Sequence, residues 1–450
     1  MLRTKALSIL IAASVVAPVL AQPVSPSAMP TLLIAAPSAI AVPPPPDAAA
    51  TARELDALRR QALEQVPDLA LRLRQWEAGG PAYRWNAVAV SDQVDRFVRS
   101  NQAARTLALV HAAIHDATVI VQAARARHQR PSPASLDPSL ALPGARAVPF
   151  SYPSEAAATG EAASIILAAL IPDRADAYKA MARHSVALRQ QAGLEFASDA
   201  EAGRSIGAAI AAVALERARA DGFDARWTGS VPTGPGFWHG ANPAFPMAGT
   251  WRPWVLPAND ALRPPPPPAF DSAATRAAIA ELKAWPRSPK ANHDAIYWDV
   301  FGGNRIFQFW NAELSRLVLE YDLAADPVRT AAAFTAVNIA LHDGGVACWD
   351  AKYAYWYLRP SQLDPEVRTL FPNAPHPSYP SAHSCFSSAA GLVLARLFPA
   401  EEARFATLIE QAGVARLVAG LHYRFDIEAA NTIGRGVAEL VIGKLGPALR

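Results

Sequence analysis

Three short motifs near the C-terminus combine the residue types that hold a tetrahedral oxyanion. They are Lys352 and Arg359 followed by Pro360, then Pro380-Ser381-Ala382-His383, then Arg416, His422 and Asp426. An oxyanion in a pocket needs several charged or N–H donors, and chemistry on it needs an imidazole as acid, base or ligand. Lys352, Arg359 and Arg416 supply three positive charges, a cluster that calls for a balancing anion. Ser381 stands at an N-cap position before an apolar helical run. The free N–H groups after it, beginning with Ala382, form an anion site, and the Ser381 hydroxyl is a further donor. His383 falls in the first turn of that helix, where it can act as acid or base. Asp426 follows His422 by four residues. On a helix the two share a face, and a carboxylate on Nδ1–H leaves Nε2 free for the oxyanion centre.

Each motif also has a plainer reading. Lys352 and Arg359, seven apart, share a helix face that Pro360 ends, and basic residues suit a helix C-terminus. His383 reads as a surface histidine near a cap, and Asp426 as the ion-pair partner of Arg424 with His422 merely packed. The three motifs together are what point to a pocket.

The elements that must position them are helical. The chain has 450 residues, 51% hydrophobic and 18% charged, enough for one large core or two domains. A net charge of +3 gives no ground for a nucleic-acid partner. Abundant alanine and sparse aromatics favour packed helices. Apolar residues recur at three- and four-residue spacing over 100–125, 155–170, 176–192, 199–218, 313–322, 328–356, 382–398, 401–418 and 426–445. The expected fold is all-α.

The chain also repeats itself. Ser151-Tyr152-Pro153-Ser154 matches Ser378-Tyr379-Pro380-Ser381, an offset of 378 − 151 = 227. His115-Asp116 and His342-Asp343, Arg189 and Arg416, Gly193-Leu194 and Gly420-Leu421, and Asp199 and Asp426 share that offset. Trp85-Asn86-Ala87 matches Trp310-Asn311-Ala312 at 225. These coincidences predict a duplication that yields two similar helical bundles. At the places of His383 and His422 the first copy has Ala156 and Glu195, and Ser132 stands for Arg359. The active site is therefore expected in the C-terminal bundle alone.

Residues 1–21 read as a signal peptide: Arg3 and Lys5, an apolar run from Ala6 to Val16, and a cleavage site after Ala21, with an uncleaved membrane anchor as the alternative, for which the apolar run is short. A Pro/Ala-rich lead-in (22–50), a degenerate N-terminal bundle (51–221), a Pro/Trp-rich irregular insert (222–290) and the catalytic bundle (291–450) follow. The insert, around Trp238, Trp251 and Trp254, is expected to wall the pocket entrance. No later stretch reaches the roughly 18 apolar residues of a membrane span. The mature chain is expected in the periplasm or outside the cell. Cys348 and Cys385 read as small buried apolar residues, with pairing the alternative in an oxidising compartment.

The motifs resemble those of the vanadium-dependent haloperoxidase and type 2 phosphatidic acid phosphatase superfamily, in its bacterial haloperoxidase-like branch. The resemblance implies that Lys352, Arg359, Ser381, the Ala382 backbone and Arg416 hold vanadate oxygens. It makes His422 the axial ligand on vanadium, oriented by Asp426, and His383 the acid/base group for hydrogen peroxide. Trp349, His376 and Asp343 are placed behind these. The activity implied is oxidation of halide by hydrogen peroxide to a hypohalous species, with vanadate as cofactor and no haem. His422-Tyr423-Arg424-Phe425-Asp426 is similar to a haloperoxidase form, and His376 stands where bromoperoxidases carry histidine, which favours bromide or iodide. Ala382 replaces the family's glycine, at a strain cost if that position needs positive φ, and Ala415 replaces a serine.

The same pocket also suits an acid phosphatase acting on phosphate esters, with a phosphohistidine at His422 and His383 protonating the leaving group. A binding protein without turnover would not need both histidines.

Overall fold

The structure is a computed structural model and describes residues 29–62, 68–146 and 148–449. The expected signal peptide and the first part of the lead-in lie outside the described residues. The fold is all-α; among the described residues the only β pairing is two isolated bridges.

In the first half the helices are α1 (Ala48–Ala62), α2 (Leu69–Glu77), α3 (Gly80–Asp95), α4 (Ser100–His128), the short α5 (Pro133–Leu136), α6 (Glu155–Leu170), α7 (Ala175–Gln191) and α8 (Ala197–Arg219). Then come α9 (Ala273–Ala284), α10 (Pro289–Asp299), α11 (Ile306–Glu320), α12 (Pro327–Tyr355), α13 (Pro360–Leu363), α14 (Ala382–Leu397), α15 (Glu402–Val418) and α16 (Arg424–Leu445). The 227-residue offset recurs in the elements: both ends of α4 map onto those of α12, and likewise α6 onto α14 and α7 onto α15. The stretch 222–290, expected to be irregular, contains α9, whose Ser272 accepts from the Thr275 N–H at 3.2 Å.

α4 and α12 pack against each other at the centre; α6 and α8 pack on α4 with α7 outside α6, and α14 and α16 pack on α12 with α15 outside α14. One apolar core runs through both halves, from Ala82 to Leu449. Small residues make the approach close. At Gly207 a side chain would meet the Ala158 carbonyl, and at Gly434 it would meet Ser388. By composition α4 is apolar enough to cross a membrane, contrary to expectation, but 89% of its apolar window is buried inside the fold.

Two buried carboxylates tie down the chain's two irregular stretches. Asp116 on α4 accepts from the N–H groups of Leu32, Leu33 and Ile34 at 2.9, 2.8 and 3.3 Å. Asp343 on α12 accepts from Trp254, Val255 and Leu256 at 2.9, 2.7 and 3.2 Å. Three N–H groups satisfy each buried carboxylate.

Candidate active site

Lys352 and Arg359 do not share a helix face. α12 stops at Tyr355, where Trp356 turns left-handed (φ 50°) and returns its N–H to the Lys352 carbonyl at 2.9 Å. Arg359 is the N-cap of α13, so Pro360 opens a helix rather than ending one. The two cations reach the pocket from different elements.

The Lys352 ammonium, fully buried, donates to the carbonyls of Pro377 and Ser378 at 2.9 Å each and to that of Pro380. All three of its protons therefore hold the loop before α14, whose Tyr379–Pro380 bond is cis. Burial, with Arg359 nearby, pushes the ammonium below the usual lysine range.

Ser381 is the N-cap of α14, as expected, but its hydroxyl caps no backbone N–H. Its counterpart Ser154 does cap, accepting from Ala157 at 3.1 Å. The N–H groups opening α14 are thus left for a ligand. Ala382 has ordinary negative φ, so the anticipated strain of its methyl is absent. The His383 ring lies 3.0 Å, through Nε2, from the Trp298 carbonyl. A carbonyl only accepts, so Nε2 carries the proton and Nδ1 presents its lone pair. Gly302 gives the ring room, since a Cβ there would lie 2.5 Å from Cδ2.

His422 stands between a donor and an acceptor. Nη1 of Arg359 is 2.9 Å from its Nε2, and Oδ2 of Asp426 is 2.8 Å from its Nδ1. A guanidinium only donates, so the proton sits on Nδ1 and the lone pair on Nε2. Asp426 also accepts from Ser378 Oγ at 2.5 Å and from the Tyr423 N–H at 3.2 Å. The His422–Asp426 contact is made across the start of α16, not along one helix, because Tyr423 is its N-cap. Arg424 points away and pairs with Glu281 at 2.8 Å.

Arg416, in the last turn of α15, donates from Nη1 to Asp299 at 3.1 Å, while its buried Nε has no partner among the described residues. His376 accepts from Arg359 Nη2 at 3.1 Å, and its ring centroid is 5.4 Å from that of Trp349. Burial holds the imidazoles of His376, His383 and His422 neutral, well below the usual histidine range, and the pocket's cations add to it. Burial also brings Arg359 down to about 10. Such a pocket gains from an anion. The orphaned Arg416 Nε, the open α14 N–H groups, the Ser381 hydroxyl and the His422 Nε2 lone pair fit vanadate or phosphate.

Asp343, expected behind the pocket, is not there. It sits nine residues before Lys352, engaged with Trp254–Leu256 and with His342 Nδ1 at 2.8 Å. Trp251 and Trp254 follow it to mid-α12: Trp251 stacks on His342 at 6.5 Å, and Arg217 lies 3.8 Å over Trp254. They do not wall the entrance. Trp238 donates its N–H to the Trp356 carbonyl at 2.6 Å, and the Ala244 carbonyl accepts from Trp349 Nε1 at 3.1 Å. Cys348 and Cys385 are buried and unpaired, consistent with the apolar reading. Sequence reasoning missed Trp298, Asp299 and Ser378. The Gly302-Gly303 pair after α10 was the available signal, since Gly303 breaks helical geometry there (φ −104°, ψ −108°).

Residues 330–445 match the family model described as the PAP2 superfamily. No curated protein matches the sequence. Among solved structures, a bacterial vanadium-dependent iodoperoxidase aligns over 80% of this chain and 95% of its own, with a TM-score of 0.61 and 22% identity. Holo and apo forms of a bacterial vanadium-dependent chloroperoxidase align over 86% and 78% of this chain and 95% and 93% of theirs, at TM-scores of 0.55 and 0.54 and 14% and 13% identity. The resemblance read from the motifs agrees with these matches: residues 330–445 fit the PAP2 superfamily model, and the solved structures that share the fold are vanadium-dependent haloperoxidases. The chain has the all-α fold of the haloperoxidases it resembles.

Proposed function

We propose that the protein is a vanadate-dependent haloperoxidase that oxidises bromide or iodide with hydrogen peroxide, in the periplasm or outside the cell. When bound, vanadate acts as a Lewis acid and does not change oxidation state. His422 would hold it through Nε2, and Arg359, Arg416, Ser381 and the α14 N–H groups would take its oxygens. Lys352 contributes its charge while fixing the 377–381 loop.

The observation that carries the reading is the state of His383. Its Nε2 proton is committed to the Trp298 carbonyl and its neutral Nδ1 is open. That is a base, suited to taking a proton from hydrogen peroxide. A phosphatase would use the same residue protonated, to release an alcohol. The phosphatase remains the second reading because His422 Nε2, with its lone pair among cations, is equally the nucleophile of a phosphohistidine route. His376, beside Trp349 and bonded by Arg359, supports the larger halides.

The test is bromide- and iodide-dependent halogenation of a phenol by hydrogen peroxide, with and without vanadate, beside hydrolysis of p-nitrophenyl phosphate. Vanadate-dependent halogenation is expected. Phosphate-ester hydrolysis that vanadate inhibits, without halogenation, would replace this reading with the second.

A further inference from the structure

A cavity of about 470 Å³ lies between the N-terminal half and the segment from the end of α11 to the start of α12, with Asp322 and Thr330 in its wall. Arg125, Ala156 and Arg189 line it, 227 residues before Lys352, His383 and Arg416. It is therefore the counterpart of the anion pocket, rebuilt with different chemistry.

A highly charged oxyanion has no place there. Arg189 donates through Nε to Glu195, which stands at the position of His422, at 2.9 Å, and through Nη1 to Glu77. Arg125 pairs with Glu155 at 3.5 Å. Both buried guanidiniums are already neutralised by carboxylates of the chain. What stays open carries less charge. Arg84 lines the cavity, and its buried Nε has no partner among the described residues. Its guanidinium lies 5.6 Å from the centre of the Trp76 ring. Of the wall arginines, Arg125 pairs with Glu155, Arg146 with Asp322, and Arg189 with Glu77 and Glu195, so that Arg84 alone has no carboxylate partner among the described residues. Trp76 and Trp85, with ring centroids 6.3 Å apart, supply flat apolar surface beside it.

We propose that this cavity is a second ligand site, taking a small organic monocarboxylate with a flat apolar body. The Arg84 guanidinium receives the carboxylate, for which its planar fork is matched. The tryptophans take the ring system. The volume suits a ligand of that size. The site is separate from the oxyanion chemistry of the C-terminal half and does not depend on whether that half is a peroxidase or a phosphatase.

The experiment is calorimetric titration of the whole protein with 2-naphthoate, with neutral 2-naphthamide as control. Saturable 1:1 binding of naphthoate is expected, at least about tenfold tighter than the amide, since a charged hydrogen-bond pair is worth that much. Arg84→Gln, at a partly exposed site, should weaken naphthoate about tenfold while the melting temperature holds. Ala156→Trp, which fills the cavity, should abolish binding. Orthophosphate, which fits the other pocket, should not compete. Three results would overturn the proposal: no saturable naphthoate binding, equal affinity for the amide or in folded Arg84→Gln protein, or displacement by phosphate, which would locate the ligand in the C-terminal pocket.

Discussion

Arg359 and His422 are joined at 2.9 Å, guanidinium Nη1 to imidazole Nε2, and that contact holds the imidazole lone pair among the pocket's cations. The same arginine reaches the Leu421 carbonyl at 2.9 Å and the His376 carbonyl at 3.0 Å. It therefore braces both sides of the site as well as charging it. Lysine cannot reproduce a planar fork. Arg359→Lys is expected to lower kcat/KM by about 100-fold, the usual effect of losing one preorganised donor. A rate within a few-fold of the parent would show that charge alone matters.

Asp426 sets the His422 tautomer from the other side, at 2.8 Å. Asp426→Asn keeps the shape but no longer requires a proton on Nδ1. Removing a partner behind a ligand typically costs 10–100-fold in affinity. Vanadate binding, followed by titration, should weaken by about that factor while the fold's circular dichroism stays the same. Undiminished affinity would mean that Ser378 and the backbone suffice.

Ala382→Gly restores the residue usual in the resembled family. Because Ala382 has ordinary negative φ at the start of α14, glycine relieves nothing there. Anion affinity should change by less than about threefold, and stability should fall by up to ~1 kcal/mol. A large gain in affinity would show that the methyl obstructs the ligand.

The buried Asp343 carboxylate clamps the Trp254–Leu256 backbone. Asp343→Ala leaves those N–H groups without an acceptor, at about 1–3 kcal/mol for each buried unsatisfied group. A loss of about 3 kcal/mol in chemical denaturation is expected, with vanadate affinity retained by the folded fraction. A loss below ~1 kcal/mol would mean that water replaces the carboxylate.

His383 is held neutral by burial first and then by Arg416, so its folded pKa lies below its unfolded one. As pH falls through about 6.5, the unfolded chain takes up this proton and the folded chain does not. His383 therefore costs stability below that pH. The stability difference, parent minus His383→Gln, should shift against the parent by up to ~2 kcal/mol between pH 8 and pH 5. A pH-independent difference would show that His383 is readily protonated in place.

Local chemistry made much of this protein legible in one dimension. Helical periodicity located the core helices, though it missed α1, α2, α3, α9 and α10. The motifs named Lys352, Arg359, Ser381, His383, Arg416, His422 and Asp426, and the folded chain gathers them around the 377–381 loop and the starts of α14 and α16. Residue type carries that information, because only certain side chains hold an oxyanion.

Tertiary structure alone decided what each group does with its protons and charge. The Trp298 carbonyl chooses the His383 tautomer from 85 residues away, and Asp299 meets Arg416 across 117. Lys352 spends its donors on a loop, Arg359 stands past a helix end, and Asp343 serves the insert instead of the pocket. None of these has a periodic signature. Hydrogen bonds and burial act between groups that folding brings within about 3 Å, whatever their separation along the chain.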